Sequence, residues 1–327
     1  MPAQVDFLNR FKQKTLLVAL LLLVLAAIWL ANSCSSTAPV AAESVKPQSL
    51  QDSPTEHQPA ENTYDVPNML GSEKLITATD NNGQLVIVPR PDWALDGNLL
   101  IHFSQLEQAA KQGNSEAAYV LGMNLRNCYF APEDDTDLAE RLEQAYKFND
   151  QGVAAAENVE RYDFCLGVGK SQRSQFYVYL AMAAGNGYVP AQEAIALITP
   201  EQYMHAAGYA KLERNDYVAK RSGFIQQQVD FLSSAAQHGS IKALIKLSQM
   251  HYAQTVGQDG RLQAYAFNQM IMELTDDTEL YNRYNWFQQR AQSVFTPAEI
   301  EQAMVMSEQW LSTIKANGTL YLHKDQE

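Results

Sequence analysis

Basic charge is the first thing this chain lacks. Its 327 residues carry 24 Lys and Arg against 37 Asp and Glu, a formal charge of −13, and the cations nowhere gather into a stripe. A nucleic-acid partner is therefore excluded, because a phosphate backbone is held by cations that displace its counterions. Cysteine is almost missing, with three copies in a chain far too long for a disulfide-stapled mini-protein. The six histidines, His57, His102, His205, His238, His251 and His323, show neither HExxH nor an i,i+4 pairing of ligand type, so no metal is expected. Gly167-Val168-Gly169-Lys170-Ser171 ends like a phosphate loop, yet Phe164 stands where its first glycine belongs, and the segment reads as a solvated turn. Asp134-Asp135-Thr136-Asp137 lacks the glycine and distal Glu of a calcium loop and reads as a solvated charge run. No cofactor is expected.

What is present begins at the N-terminus. Asp6 stands against Arg10, Lys12 and Lys14, and from Leu16 to Ala31 there are sixteen consecutive apolar residues. A basic lead before such a run reads as an export or anchoring segment, with Trp29 at the far interface and the rest of the chain across the membrane. Leu30-Ala31-Asn32-Ser33-Cys34 resembles a bacterial lipobox, although Ala31 stands where the pattern prefers Leu. Ala31 and Ser33 also satisfy the small-x-small rule of a cleaved signal. The first expectation is a single-pass anchor in a bacterial inner membrane with the C-terminal body in the periplasm. A lipoprotein anchored at Cys34 comes second and release third.

Residues 35–68 hold Pro39, Pro47, Pro54, Pro59 and Pro67 among Ala, Ser, Gln and Glu, with almost no aliphatic run. Such a segment buries too little to offset chain entropy and reads as a disordered linker. Its reach as a coil is on the order of 30 Å. Within 69–100 the pattern changes to period two: LITAT and QLVIV flank Asp80-Asn81-Asn82-Gly83, which predicts a small β-hairpin capping the helical body. Residues 101–327 form the remaining domain.

That domain repeats itself. Ala109–Ala117, Ala183–Ala191 and Ala235–Ala243 each have the form AAxxGxxxA, with glycines at Gly113, Gly187 and Gly239. Apolar pairs precede each copy at helical spacing (Phe103 and Leu106, Tyr177 and Leu180, Val229 and Leu232), and Leu121, Ile195 and Leu247 follow the last Ala by four. This predicts a helix ending in small residues, a left-handed glycine and a second helix crossing closely. These residues, together with Leu121-Gly122 and the run from Ala243 to Tyr252 followed by Gly257-Gln258-Asp259-Gly260 and Gln263–Phe267, resemble the Sel-one-like repeat, a relative of the tetratricopeptide repeat. Ser248 stands where that family has glycine. The resemblance covers roughly 103–274 and implies an all-α protein, an α-solenoid of αα-hairpin repeats. The glycines are 74 and then 52 residues apart. The first gap fits one unmarked unit, and the second implies an insertion at Tyr203–Ser222.

Thr199-Pro200-Glu201-Gln202 and Thr296-Pro297-Ala298-Glu299 read as capped helix starts. The last helix is expected over Pro297–Lys315, with Ile300, Met304, Trp310, Leu311 and Ile314 facing inward and closing the far end of the stack. Tyr177, Tyr252, Tyr265, Trp286 and Trp310 fall on helical stripes and are assigned to the core. Cys128 and Cys165 form an even pair in a segment expected outside the cytoplasm, which predicts a disulfide clamping the acidic stretch Glu133–Asp137.

The function expected is non-enzymatic: a membrane-tethered envelope scaffold or adaptor whose concave face takes a protein or peptide, in keeping with what the resemblance implies. Asn124 and Gln249, on second helices, are candidate residues of that face. The alternative is an envelope carbohydrate- or peptidoglycan-binding protein or hydrolase, with a carboxylate pair such as Glu160 and Asp163.

Overall fold

Three turns of one design set the architecture. In the computed structural model, which describes residues 85–147, 152–256 and 260–324, Gly113, Gly187 and Gly239 all adopt positive φ, at 92°, 82° and 78°. Each sits just past a helix, and the same pair of hydrogen bonds closes each turn. Gly113 N donates to Ala110 O and Asn114 N to Ala109 O; Gly187 and Tyr188 repeat this on Ala184 and Ala183, and Gly239 and Ser240 on Ala236 and Ala235. These are Schellman closures, which use the left-handed residue to satisfy the last carbonyls of the helix. Asn114 and Ser240 then cap the following helix by accepting from Ala117 N and Ala243 N.

The first turn joins α1 (Leu99–Lys111) to α2 (Ser115–Tyr129). The pair α3 (Asp135–Lys147) and α4 (Val153–Cys165) follows. The second turn joins α5 (Phe176–Gly185) to α6 (Val189–Ile195), after which come α7 (Pro200–Ala206) and the 24-residue α8 (Arg214–Gln237). The third leads into α9 (Ile241–Tyr252), followed by α10 (Arg261–Leu274), α11 (Thr278–Gln292) and α12 (Pro297–Asn317). The described residues are all-α apart from two short strands, β1 (Val86–Ile87) and β2 (Thr319–Leu320). Among them no helix is long and apolar enough to cross a membrane. The apolar run at 16–31, Cys34, the linker, and the first strand and turn of the expected hairpin lie outside the described residues.

Packing follows an unbroken series from α1 through α2, α5, α6, α8 and α9 to α10, against which both α11 and α12 lie. Gly122 on α2 makes the tightest of these steps possible, since an added Cβ would meet Leu180 Cγ at 2.8 Å. Leu121, Leu125 and Leu180 are fully buried there, each worth about 1.5–3 kcal/mol over an exposed side chain. The unmarked unit expected between the first two glycines exists as α3 and α4. It is not a layer of the series, because α2 packs directly on α5 and the α3–α4 pair lies to the side.

One further outcome differs from the sequence pattern. Tyr177 and Tyr265 are buried, and Trp310 packs on the second core, but Tyr252 is 71% exposed and Trp286 52% exposed, so neither belongs to the core. A helical stripe marks a face without saying whether a neighbour covers it. The last helix runs Pro297–Asn317 on a Thr296–Glu299 capping box, as Thr199 and Gln202 open α7. Ile300 and Met304 pack on one small cluster while Leu311 and Ile314 join the second core. It lies against α10, the last member of the series, and past Gly318 the chain turns back to the α8–α9 turn, where Tyr321 N donates to Gly239 O and Ile241 N to Tyr321 O.

That returning tail meets the other terminus of the described chain. β1 pairs parallel with β2, Val86 opposite Thr319 and Ile87 opposite Leu320. From there an extended strap crosses both cores, with Leu85 and Val88 on the second and Trp93 and Leu95 on the first. Its anchor is Arg90, which pairs with Glu193 of α6 at 2.6 Å (8% and 9% exposed side chains) and donates to Leu322 O. Glu193 also accepts from Ser240 Oγ, the cap of α9, so strap, α6 and the start of α9 meet at one buried carboxylate while Arg90 ties in the tail.

Candidate functional site

Among the described residues, two places with buried polar groups contrast most: one is closed and the other borders a groove. The closed one surrounds the disulfide between Cys128 on α2 and Cys165 at the end of α4. Arg173, in the short helical turn Lys170–Arg173, is 6% exposed. Its Nε donates to Val168 O, Nη1 to Cys128 O and Pro132 O, and Nη2 to Cys165 O, all at 2.8–3.2 Å. The guanidinium thus stitches the backbone on both sides of the bridge, and burial lowers its pKa from the usual value. What the bridge encloses is the whole α3–α4 pair. The acidic stretch is the start of α3, where Asp134 accepts from Thr136 N and Asp137 N, and Arg141 holds the Asp137 carboxyl below its usual range. The Gly167–Ser171 segment serves as the approach to Arg173, with Val168 buried.

The open place lies over α10. Asp277 caps α11 by accepting from Glu279 N and Leu280 N, and Lys324 beside it, hydrogen-bonded to its carboxylate, holds the carboxyl below its usual range. α12 begins on its own capping box, and both helices lean on α10. Between them runs a groove of about 660 Å³. From α11 it is lined by Tyr281, Asn285, Gln288 and Gln292, which share one helical face at spacings of four, three and four. From α10 come Tyr265, Gln269, Met272 and Glu273, and from α12 Ile300 and Met304.

Gln288 is 4% exposed. Its Nε2 donates to Tyr265 O at 3.3 Å, whereas its Oε1 is buried with no hydrogen-bond partner. Gln292 Nε2 reaches Tyr265 Oη at 3.3 Å, so two carboxamides of α11 hold the tyrosine of α10 by its main chain and its hydroxyl. Glu273 is the one charged residue of the lining, and Lys315 Nζ stands 3.5 Å from it at the rim. The lining therefore carries one carboxylate and no cation, a low charge in a chain carrying −13.

Asn124 is corrected as a binding residue. It is 1% exposed, and its Nδ2 donates to Trp93 O at 2.6 Å and Val120 O at 2.8 Å, so it holds the strap and is closed to a ligand. Gln249 is exposed on α9, far along the chain from Asn124 and brought to no cluster with it. Cys34 lies outside the described residues. Glu160 and Asp163 are both exposed on α4. Among the described residues no three His, Cys, Asp or Glu converge to hold a metal ion. The groove residues escaped the sequence reading because Gln and Asn on a helix are ordinarily solvated. The signal that could have found them is the repetition of carboxamides at i, i+3 and i+7 in Asn285, Gln288 and Gln292.

Comparison of the chain with protein-family models, with curated proteins and with solved structures finds no match in any of the three.

Proposed function

We propose that the chain is an interaction scaffold of the bacterial envelope, a solenoid of Sel-one-like helix pairs that binds a protein or peptide and catalyses nothing. The apolar run Leu16–Ala31 holds it in the inner membrane, with lipidation at Cys34 as the alternative anchor, and the helical body faces the periplasm. The observation that carries this reading is the serial packing of helix pairs ending in an open carboxamide-lined groove. Stacked pairs bury their faces against neighbours and leave extended surfaces free for partners. The Cys128–Cys165 bridge supports the address, since disulfides persist outside the cytoplasm.

Photo-crosslinking residues placed at Gln249 and Tyr252, both exposed, test the reading in native membranes. A discrete protein partner captured from the periplasmic side, with Cys128 and Cys165 oxidised, is the expected result. Turnover of an envelope glycan by the purified chain, lost in Glu160→Gln, would replace the scaffold with an enzyme.

A further inference from the structure

We infer that the groove over α10 binds an extended, uncharged peptide segment that donates a main-chain N–H to Gln288 Oε1 and sets an apolar side chain against Met272, Ile300 and Met304. The inference rests on the scaffold reading and names the chemistry of its partner.

The unpartnered oxygen supplies the first reason. A buried carbonyl oxygen without a donor is costly; Gln288 lines the groove, and its Oε1, buried beneath the surface, has no donor. The terminal torsion of a glutamine is broad, so the carboxamide can turn toward an arriving N–H, exchanging its long 3.3 Å bond to Tyr265 O for one made by Oε1. The second reason is the match of inventories. Each carboxamide of Gln269, Asn285, Gln288 and Gln292 carries both donors and an acceptor, and each peptide unit presents one of each. A ladder of the former along α11 can follow the latter along an extended chain.

The remaining surface favours a peptide over a glycan. Two methionines and an isoleucine form an adaptable apolar wall suited to side chains of varied shape. A sugar ring needs an aromatic face to lie on; Tyr265 is 3% exposed with its ring packed edge-on with Phe295, which leaves only Tyr281 of α11, 45% exposed, to offer one in this lining. The low charge of the lining points to the residues the segment presents, because its single carboxylate, Glu273, already has Lys315 within 3.5 Å and no cation lines the groove to take an anion.

The probe is a phage-displayed library of random dodecapeptides, selected on the purified full-length chain, followed by synthesis of the enriched sequence and of N-methylated analogues. Sequences poor in charge with an apolar residue at a fixed place are expected. Tyr281→Ala and Asn285→Ala alter partly exposed positions and leave the fold intact by circular dichroism; each should weaken the peptide several-fold. Methylating one particular amide should weaken binding to the native chain about tenfold, the scale of one hydrogen bond. The same methylation should change nothing in Gln288→Leu, which has no acceptor left to lose. Enrichment no better than on the empty support, or equal binding by all three variants, overturns the inference. So does binding of chitotetraose that the variants abolish. If crosslinking from Gln249 still captures a periplasmic protein while the groove selects nothing, the scaffold stands and the groove's assignment falls.

Discussion

Around the disulfide, Arg173 finds a backbone carbonyl for each of its nitrogens; over α10, Gln288 leaves its oxygen with none. Both side chains are more than nine-tenths buried, yet the first has every nitrogen bonded within the fold and the second keeps an acceptor to spare beside a groove. The difference teaches how to separate architecture from function in a chain with no catalytic motif. A polar group whose every bond is made inside the fold has been used up in stabilising it. One left short has bonding capacity to spare; Gln192 Oε1 is equally short inside the α6–α8 interface, and it is the adjoining groove that distinguishes Gln288.

The comparison can be broken by substitution. Replacing both Cys128 and Cys165 with Ala should cost the most, about 4 kcal/mol on the chain-entropy account of a 37-residue loop, read as a lower urea midpoint. An unchanged midpoint would mean the α3–α4 pair contributes nothing to the cooperative unit. Arg173→Met should follow at about 3 kcal/mol, because it strands several carbonyls at once. It should also loosen hydrogen exchange at the ends of α2 and α4.

Gln288→Leu sharpens the contrast from the other side. It removes one bond to Tyr265 O and one orphan acceptor together, so stability should move by less than about 1 kcal/mol. A loss as large as that of Arg173→Met would show that the groove is architecture after all.

The smallest effect is on pH dependence. Burial pushes the imidazoles of His238, His251 and His323 below the ordinary 6.5. The unfolded chain therefore takes up protons first as pH falls through 6.5, and stability declines from there toward the lowered folded-state values. Melting temperature should drop by a few degrees between pH 7 and 5 and drop less in His251→Asn. No slope in that window would show that the three sites are as solvated folded as unfolded.

How much could be read in advance varies with the range of the interaction. The helix–glycine–helix turns were legible at Gly113, Gly187 and Gly239 because a Schellman closure involves six consecutive residues. The capping boxes at Thr199 and Thr296 were legible for the same reason. Asn124 misled because its position on a second helix says nothing of what covers it, and the strap that does lies 31 residues away at Trp93. Trp286 and Tyr252 misled in the opposite sense: their stripes are real, but both side chains are left more than half exposed.

By itself the sequence determined that the body is helical, where its pairs turn, and which cysteines are available to bridge. Each of those follows from local spacing and from counting. Only the tertiary structure decided that α3 and α4 stand aside from the series, that Arg90 meets Leu322 across 232 residues, and that α11 and α12 part over α10 to leave a groove. Such outcomes depend on which surfaces compete successfully for the same partner, and that competition is resolved only when the whole chain has packed.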